Sequence, residues 1–210
     1  MIRWLGGAAL GLAIASPVLE AQSFGARAAV ASVRETVSQA GATELRSGSI
    51  WGGEGAFGLG PATLTVRYLQ GSIDVAAGTA PADFVEGQAL LMIHPVRWLA
   101  AGFGPHARSF VEPGGTQRWL MWEIHGQGVA PLVGSLLEAY LEGWAVVGSS
   151  IDLVEALDHG LGVEGGLRAA LGRLPVSVRL RYRTERLALG SGARQETHEQ
   201  VALAIGVGRR

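Results

Sequence analysis

The sequence contains no cysteine, so neither a disulfide framework nor a thiolate metal site is open to it. It has no lysine and no asparagine either. All 17 basic residues are arginine, a bias we attribute to genomic composition. Charged residues make up 17% of the chain, fewer than is usual, and the formal net charge is −1. That balance leaves no electrostatic footprint for a nucleic acid. No G-x-x-x-x-G-K-[ST] motif occurs, and the glycine clusters lack the strand-to-helix context of a phosphate-binding loop. Long apolar runs are also missing. Beyond the N-terminus, no stretch approaches the roughly 20 residues that a spanning helix requires.

What is present begins with a targeting pattern. Arg3 supplies a positive start, Leu5 to Ile14 is apolar and uncharged, Ser16-Pro17 breaks the run, and Leu19-Glu20-Ala21 offers a small residue at a cleavage position. Residues 1–22 read as a secretory signal peptide, cut near Ala21 or Gln22. The absence of cysteine excludes a lipoprotein anchor. Residues 23–210 then form a single domain.

The clearest local signal is Val176 to Arg183. Val176, Val178, Leu180 and Tyr182 alternate with Ser177, Arg179, Arg181 and Arg183. Period two is a β-strand with one apolar and one charged face. The same alternation recurs along the chain. It predicts strands at 24–33, 50–59, 62–69, 84–93, 97–109, 117–124, 136–147, 161–171, 176–183 and 198–207. Helical spacing of Leu132, Leu136, Tyr140 and Trp144 competes in the seventh, but Gly143 and Gly148 favour a strand. Very short links are expected at Gly60-Pro61, His94-Pro95-Val96 and Gly172-Arg173-Leu174. Gly126 to Gly134 is expected as a longer turn on the same side. Polar loops are expected at 37–46, 70–82, 112–115, 149–160 and 188–195, with a helical turn at Asp152 to Leu157.

An even number of strands, short links alternating with longer ones, and strand lengths near the span of a tilted bilayer crossing resemble small bacterial outer-membrane β-barrel proteins. The resemblance covers about Phe24 to Val207 and rests on pattern, not on a motif. It implies an all-β, antiparallel up-and-down transmembrane barrel of about ten strands, eight being the alternative count. It further implies the outer membrane as location, outer-membrane lipids and the barrel assembly machinery as partners, and both termini on the periplasmic side. Such barrels usually end in an aromatic residue. Here alternation stops at Val207, before Gly208-Arg209-Arg210.

In that arrangement the apolar parity faces lipid and the polar parity faces the lumen. Trp51, Tyr68 and Tyr182 share the apolar parity at strand ends, where an aromatic girdle belongs. The lumen parity carries Glu54, Glu86, Glu123, Glu138, Glu142 and Glu164 against Arg27, Arg67, Arg168, Arg179, Arg181 and Arg183. Buried charges must be paired, so a network that fills a narrow barrel is the expected role. A narrow anion-selective pore is the alternative. Arg183 and Arg186 are placed near the outer rim, where they could meet phosphates of lipopolysaccharide.

A hydrolytic site has weaker support. His106 and Ser109 have opposite parity, His125 falls at a turn end, His198 lies near the outer rim, and Asp152, Asp158 and His159 share a loop. No cofactor, no metal site and no catalytic residue is assigned. A secreted soluble barrel, with valines inside and arginines in water, is the remaining rival.

Overall fold

The computed structural model describes residues 23–75, 81–112, 115–134, 136–153, 155–171 and 175–209. The expected signal peptide lies outside them. Ten strands are present: β1 (Ser23–Gln39), β2 (Ala42–Leu59), β3 (Ala62–Val75), β4 (Ala82–Val96), β5 (Leu99–Glu112), β6 (Gly115–Val133), β7 (Leu137–Ile151), β8 (Leu157–Ala170), β9 (Val176–Leu189) and β10 (Arg194–Arg209). Each pairs antiparallel with its chain neighbours, and β1 closes on β10 from Phe24↔Arg209 to Gln39↔Arg194. Closure leaves no unpaired sheet edge.

The strands are longer than the alternation predicts, at 14 to 19 residues. Segments 37–39, 42–46, 126–133 and 188–189 are strand instead of loop. His94-Pro95-Val96 belongs to β4, and the turn is Arg97-Trp98. Ser149 to Ile151 belong to β7, and β8 begins at Leu157. The described residues between them form no helical turn. The link after β1 is not a long loop but the pair Ala40-Gly41, with φ of 51° and 82°. Two consecutive positive φ values make the tight hairpin turn whose twist suits β-strands.

The misplacements at the outer end share one cause. Near the outer end of the barrel the apolar parity switches faces. On β1, Val30 points out and is 54% exposed, whereas Val33 points in and is 1% exposed. On β3, Tyr68 faces out while Leu69 and Ile73 are fully buried inside. On β9, Tyr182 faces out while Leu187 and Leu189 face in. A strand whose apolar phase slips by one residue looks, in sequence, like a strand that has ended.

The barrel therefore has two zones. The lower zone has an apolar exterior. On β7 it runs from Leu137 to Val147, roughly 25 Å along the axis for tilted strands. That matches the apolar band of a transmembrane barrel. The upper zone is a collar whose exterior is rich in serine and threonine. On β1 it covers Ser32 to Gln39, roughly 20 Å. Inward glycines allow the sheet to bend where β2 meets β3. A Cβ on Gly48 would meet Ile73 Cα at 2.8 Å, and one on Gly71 would meet Ile50 Cα at 2.8 Å.

Candidate functional site: the filled lumen

The lower lumen is filled by charge. Glu54, on β2, is its hub. Its carboxylate accepts from Arg27 at 2.7 Å and Arg179 at 3.2 Å, and lies 3.5 Å from both Arg181 and Arg67. Glu164, on β8, accepts from Arg179 at 2.9 Å and from the Tyr140 hydroxyl at 2.9 Å, with Arg67 at 3.7 Å. The Arg179 guanidinium also lies over the Tyr140 ring, 4.4 Å from its centroid. Six strands are thus tied across the lumen through two carboxylates.

A second node sits higher. Glu185 accepts from Arg108 at 2.6 Å and from the Trp144 indole at 3.0 Å. Arg183 reaches Glu86 at 3.3 Å and Glu185 at 3.8 Å, and covers the Trp144 ring at 4.4 Å. From Glu86 a chain of acids and imidazoles descends. His106 lies 3.2 Å from Glu86 and 2.8 Å from Glu123, and His125 lies 3.0 Å from Glu123 and 2.7 Å from Glu142. Each ring faces a carboxylate with both nitrogens. Gln88 and Gln127 donate to Glu123 and Glu142.

Above these nodes the lumen turns apolar. Ile50, Leu69, Ile73, Phe84, Phe110, Trp119, Met121 and Leu189 are each at most 2% exposed and form one cluster inside the barrel. Phe84 and Phe110 pack with ring centroids 5.1 Å apart. At the outer mouth Arg46 bonds Glu44 and Glu112, and Arg194 bonds Glu196.

The residues expected in the lumen all face it, but not equally. Glu54, Arg67, Glu86, Glu123, Glu164, Arg179, Arg181 and Arg183 are buried. Arg27 and Glu142 are nearly so. Glu138 and Arg168 form a 3.6 Å pair at the end of the barrel that carries the chain termini, where their side chains keep 21% and 26% exposure. Trp51, Tyr68 and Tyr182 point outward at the top of the apolar belt, 60%, 49% and 46% exposed.

Several expected positions need correction. Arg183 is not at the outer rim but buried in mid-lumen, because its parity points inward. Arg186, on the opposite parity, is exposed on the collar. His198 lies beneath the apolar layer, stacked on Phe84 at 5.8 Å, and is 2% exposed. Asp158 accepts from the Gly192 backbone at 3.1 Å, while Asp152 and His159 remain exposed.

The lumen also contains groups that the sequence reading left out of the network: Glu35, His106, Arg108, His125, Tyr140, Trp144, Glu185, Glu196, His198 and Gln200. All share the inward parity of their strands, so alternation carried the signal. Glu185 stands two residues after Arg183. Its place beyond the apparent strand end concealed it.

Two of these groups, His106 and Glu185, and the expected Glu123 bring ligand-type atoms within 4.8 Å of one another. Arg108 and Arg183 already neutralise Glu185, so a divalent cation would have to displace both. The set is a salt-bridge node. Buried His106, His125 and His198 are at most 6% exposed, which denies a substrate direct approach.

No protein-family model and no curated protein matches the sequence. Solved structures do. The outer membrane protease OmpT from Escherichia coli superposes with TM-score 0.52 at 9% identity, over 92% of this chain and 98% of that one. An outer membrane channel from Pseudomonas putida F1 gives TM-score 0.52 at 10% identity, over 95% and 98%. This is the fold of the bacterial outer-membrane β-barrels. The translocator domain of the autotransporter NalP from Neisseria meningitidis is a weaker match, with TM-score 0.49 at 13% identity over 88% of each chain. At such identities the likeness is one of fold. The two structures with TM-scores above 0.5 are a protease and a channel, so the shared fold does not by itself fix an activity.

Proposed function

We propose that the chain is an outer-membrane barrel that conducts nothing and serves as a structural or surface-interaction element of the cell envelope. The observation that carries this reading is the apolar layer across the upper lumen. Trp119, Phe84, Phe110, Ile73 and Leu189 come from five different strands and are at most 2% exposed. Below it, arginine and glutamate side chains occupy the space a solute would need. A channel requires a hydrated path, and here both halves of the lumen are filled. The projecting collar suits contact with the surroundings. In this reading Trp51, Tyr68 and Tyr182 anchor the barrel at the outer lipid interface.

The narrow-pore reading makes the opposite forecast in planar bilayers. The refolded chain should give no conductance steps above the lipid baseline. Reproducible unitary steps would reject the proposal in favour of a pore. The membrane location is tested separately. The chain should resist carbonate extraction and migrate differently on gels before and after heating, and release by carbonate would favour a soluble barrel.

A further inference from the structure

Charge on the outer face of the collar is uneven. On β3 and β4 it is acidic, from Asp74 and Asp83. Near β6, exposed Arg118 and Asp152 offset each other. On β9 and β1 stand Arg186 and Arg34, both exposed, flanking β10. The register sets Arg34 opposite Glu199 and Arg186 opposite Thr197. Two cations therefore flank one carboxylate, and that carboxylate accepts the Tyr182 hydroxyl at 2.7 Å. Two inter-strand spacings separate the arginine strands by roughly 10 Å.

Directly below, the apolar belt is indented. A depression of about 200 Å³ is lined by Gly165, Leu167, Leu180, Tyr182 and Val201. It exists because Gly165 pairs with Tyr182 across β8 and β9 and contributes no side chain. The indentation is apolar and opens toward the bilayer just beneath Tyr182. The collar beside the arginines presents hydroxyls from Thr36, Thr184 and Thr197.

We propose that this sector binds the phosphorylated, acylated saccharide lipid of the outer leaflet, lipopolysaccharide. An acyl chain lies in the groove over Gly165. Phosphates meet Arg186 and Arg34, and sugar hydroxyls meet the threonines. Two cations held a strand apart suit a rigid saccharide with separated phosphates better than a single glycerophosphate. The threonines give sugar hydroxyls partners that a glycerophospholipid would leave unused. The proposal rests on the outer-membrane reading above, which extraction tests independently.

The test uses the refolded full barrel in detergent, titrated with lipopolysaccharide, dephosphorylated lipopolysaccharide and phosphatidylglycerol, with retention read by native mass spectrometry. Lipopolysaccharide should bind most tightly. Arg34→Ala with Arg186→Ala should weaken it by at least about tenfold, as loss of charge-assisted contacts implies. Arg97→Ala, at the periplasmic turn, should not. Gly165→Leu should weaken the acylated lipid and spare its deacylated core. Gly165 tolerates a Cβ, since the nearest atom would be 3.7 Å away. Equal binding of the dephosphorylated lipid, equal binding of phosphatidylglycerol, or an unaffected double variant would overturn the proposal. The lipid comparison needs no substitution, so it stands even if a variant misfolds.

Discussion

Glu54→Gln is the sharpest probe of how the lower lumen is held. The substitution preserves shape and removes one charge. Four guanidinium groups lie within 3.5 Å of the Glu54 carboxylate. Arg67 and Arg179 keep Glu164 as a partner. Arg27 keeps some access to water, with 16% side-chain exposure. Arg181 has the least in reserve: its side chain is 2% exposed, its direct ion pair is with Glu54, and Glu164 acts on it only from beyond contact. The loss should therefore be that of stranding one buried cation, about 3–5 kcal/mol. A second substitution isolates it. Arg181→Met in the Glu54→Gln background removes the stranded cation and should recover at least about half of the loss, a coupling measurable as a double-mutant cycle. Unfolding in urea, followed by tryptophan fluorescence of the barrel in lipid vesicles, gives the free energies. Glu138→Gln is the control. Its partner Arg168 is partly exposed, and the change should cost less than about 1 kcal/mol. If Glu54→Gln costs no more than Glu138→Gln, or if Arg181→Met deepens the loss instead of relieving it, the network does not work as described.

Other substitutions read parity and curvature. Phe110 and Phe103 lie on the same strand with opposite facings, 2% and 47% exposed. Phe110→Ala should cost about 3–5 kcal/mol in the same urea titration, and Phe103→Ala much less, because lipid replaces the lost contacts. Leu180→Arg, on the lipid face of β9, should cost roughly 2–4 kcal/mol if it sits near the bilayer midplane. Gly104→Ala would drive a Cβ into the Ala89 carbonyl oxygen and should lower both folding yield and stability, whereas Gly126→Ala meets nothing within 4 Å and should be silent in a heat-shift gel assay.

The lower zone was legible because one physical rule governs it throughout. From Val176 to Tyr182 every second residue is apolar and the others are arginine or serine, and the structure places the two sets on opposite sides of the wall. The facings of Glu54, Arg67, Glu123 and Glu164 follow from counting alone. Two kinds of information were not local. The first is which acid meets which arginine. Glu54 and Arg179 are 125 residues apart, and their meeting depends on the barrel's diameter and stagger. The second is the phase slip at the belt's upper edge. Ser47 and Ser49 look like loop because their polarity is right for an exterior in water, Gly48 between them offers no inward side chain, and Ile50 looks misplaced against Trp51. Neither residue is anomalous once the outside changes from lipid to water within one strand.

That change of solvent also bears on function. A strand crossing from hydrocarbon into water must exchange its apolar face, and the inside must exchange in the opposite sense if the lumen is to stay closed. In the belt the exterior is apolar and the interior charged. In the collar the exterior is hydroxylated and the interior is mainly Val33, Ile50, Leu69, Phe84, Trp119 and Leu187, with Glu35, Glu196 and His198 buried beside them. The collar is thus packed as a soluble barrel is packed, with its hydrophobic core on the axis. An open pore would need no such core, because a hydrated lumen tolerates polar residues along its whole length. Sealing the collar by side-chain packing stiffens a projection that loops alone would leave mobile, and it directs the chemistry to the outer wall. There the apolar belt ends at Trp51, Tyr68 and Tyr182, and the first exposed cations above Tyr182 are Arg186 and Arg34. The arginines of β9 consequently divide by parity into two roles. Arg179, Arg181 and Arg183 fill the interior, and Arg186, one phase removed, is free to meet an anion at the surface.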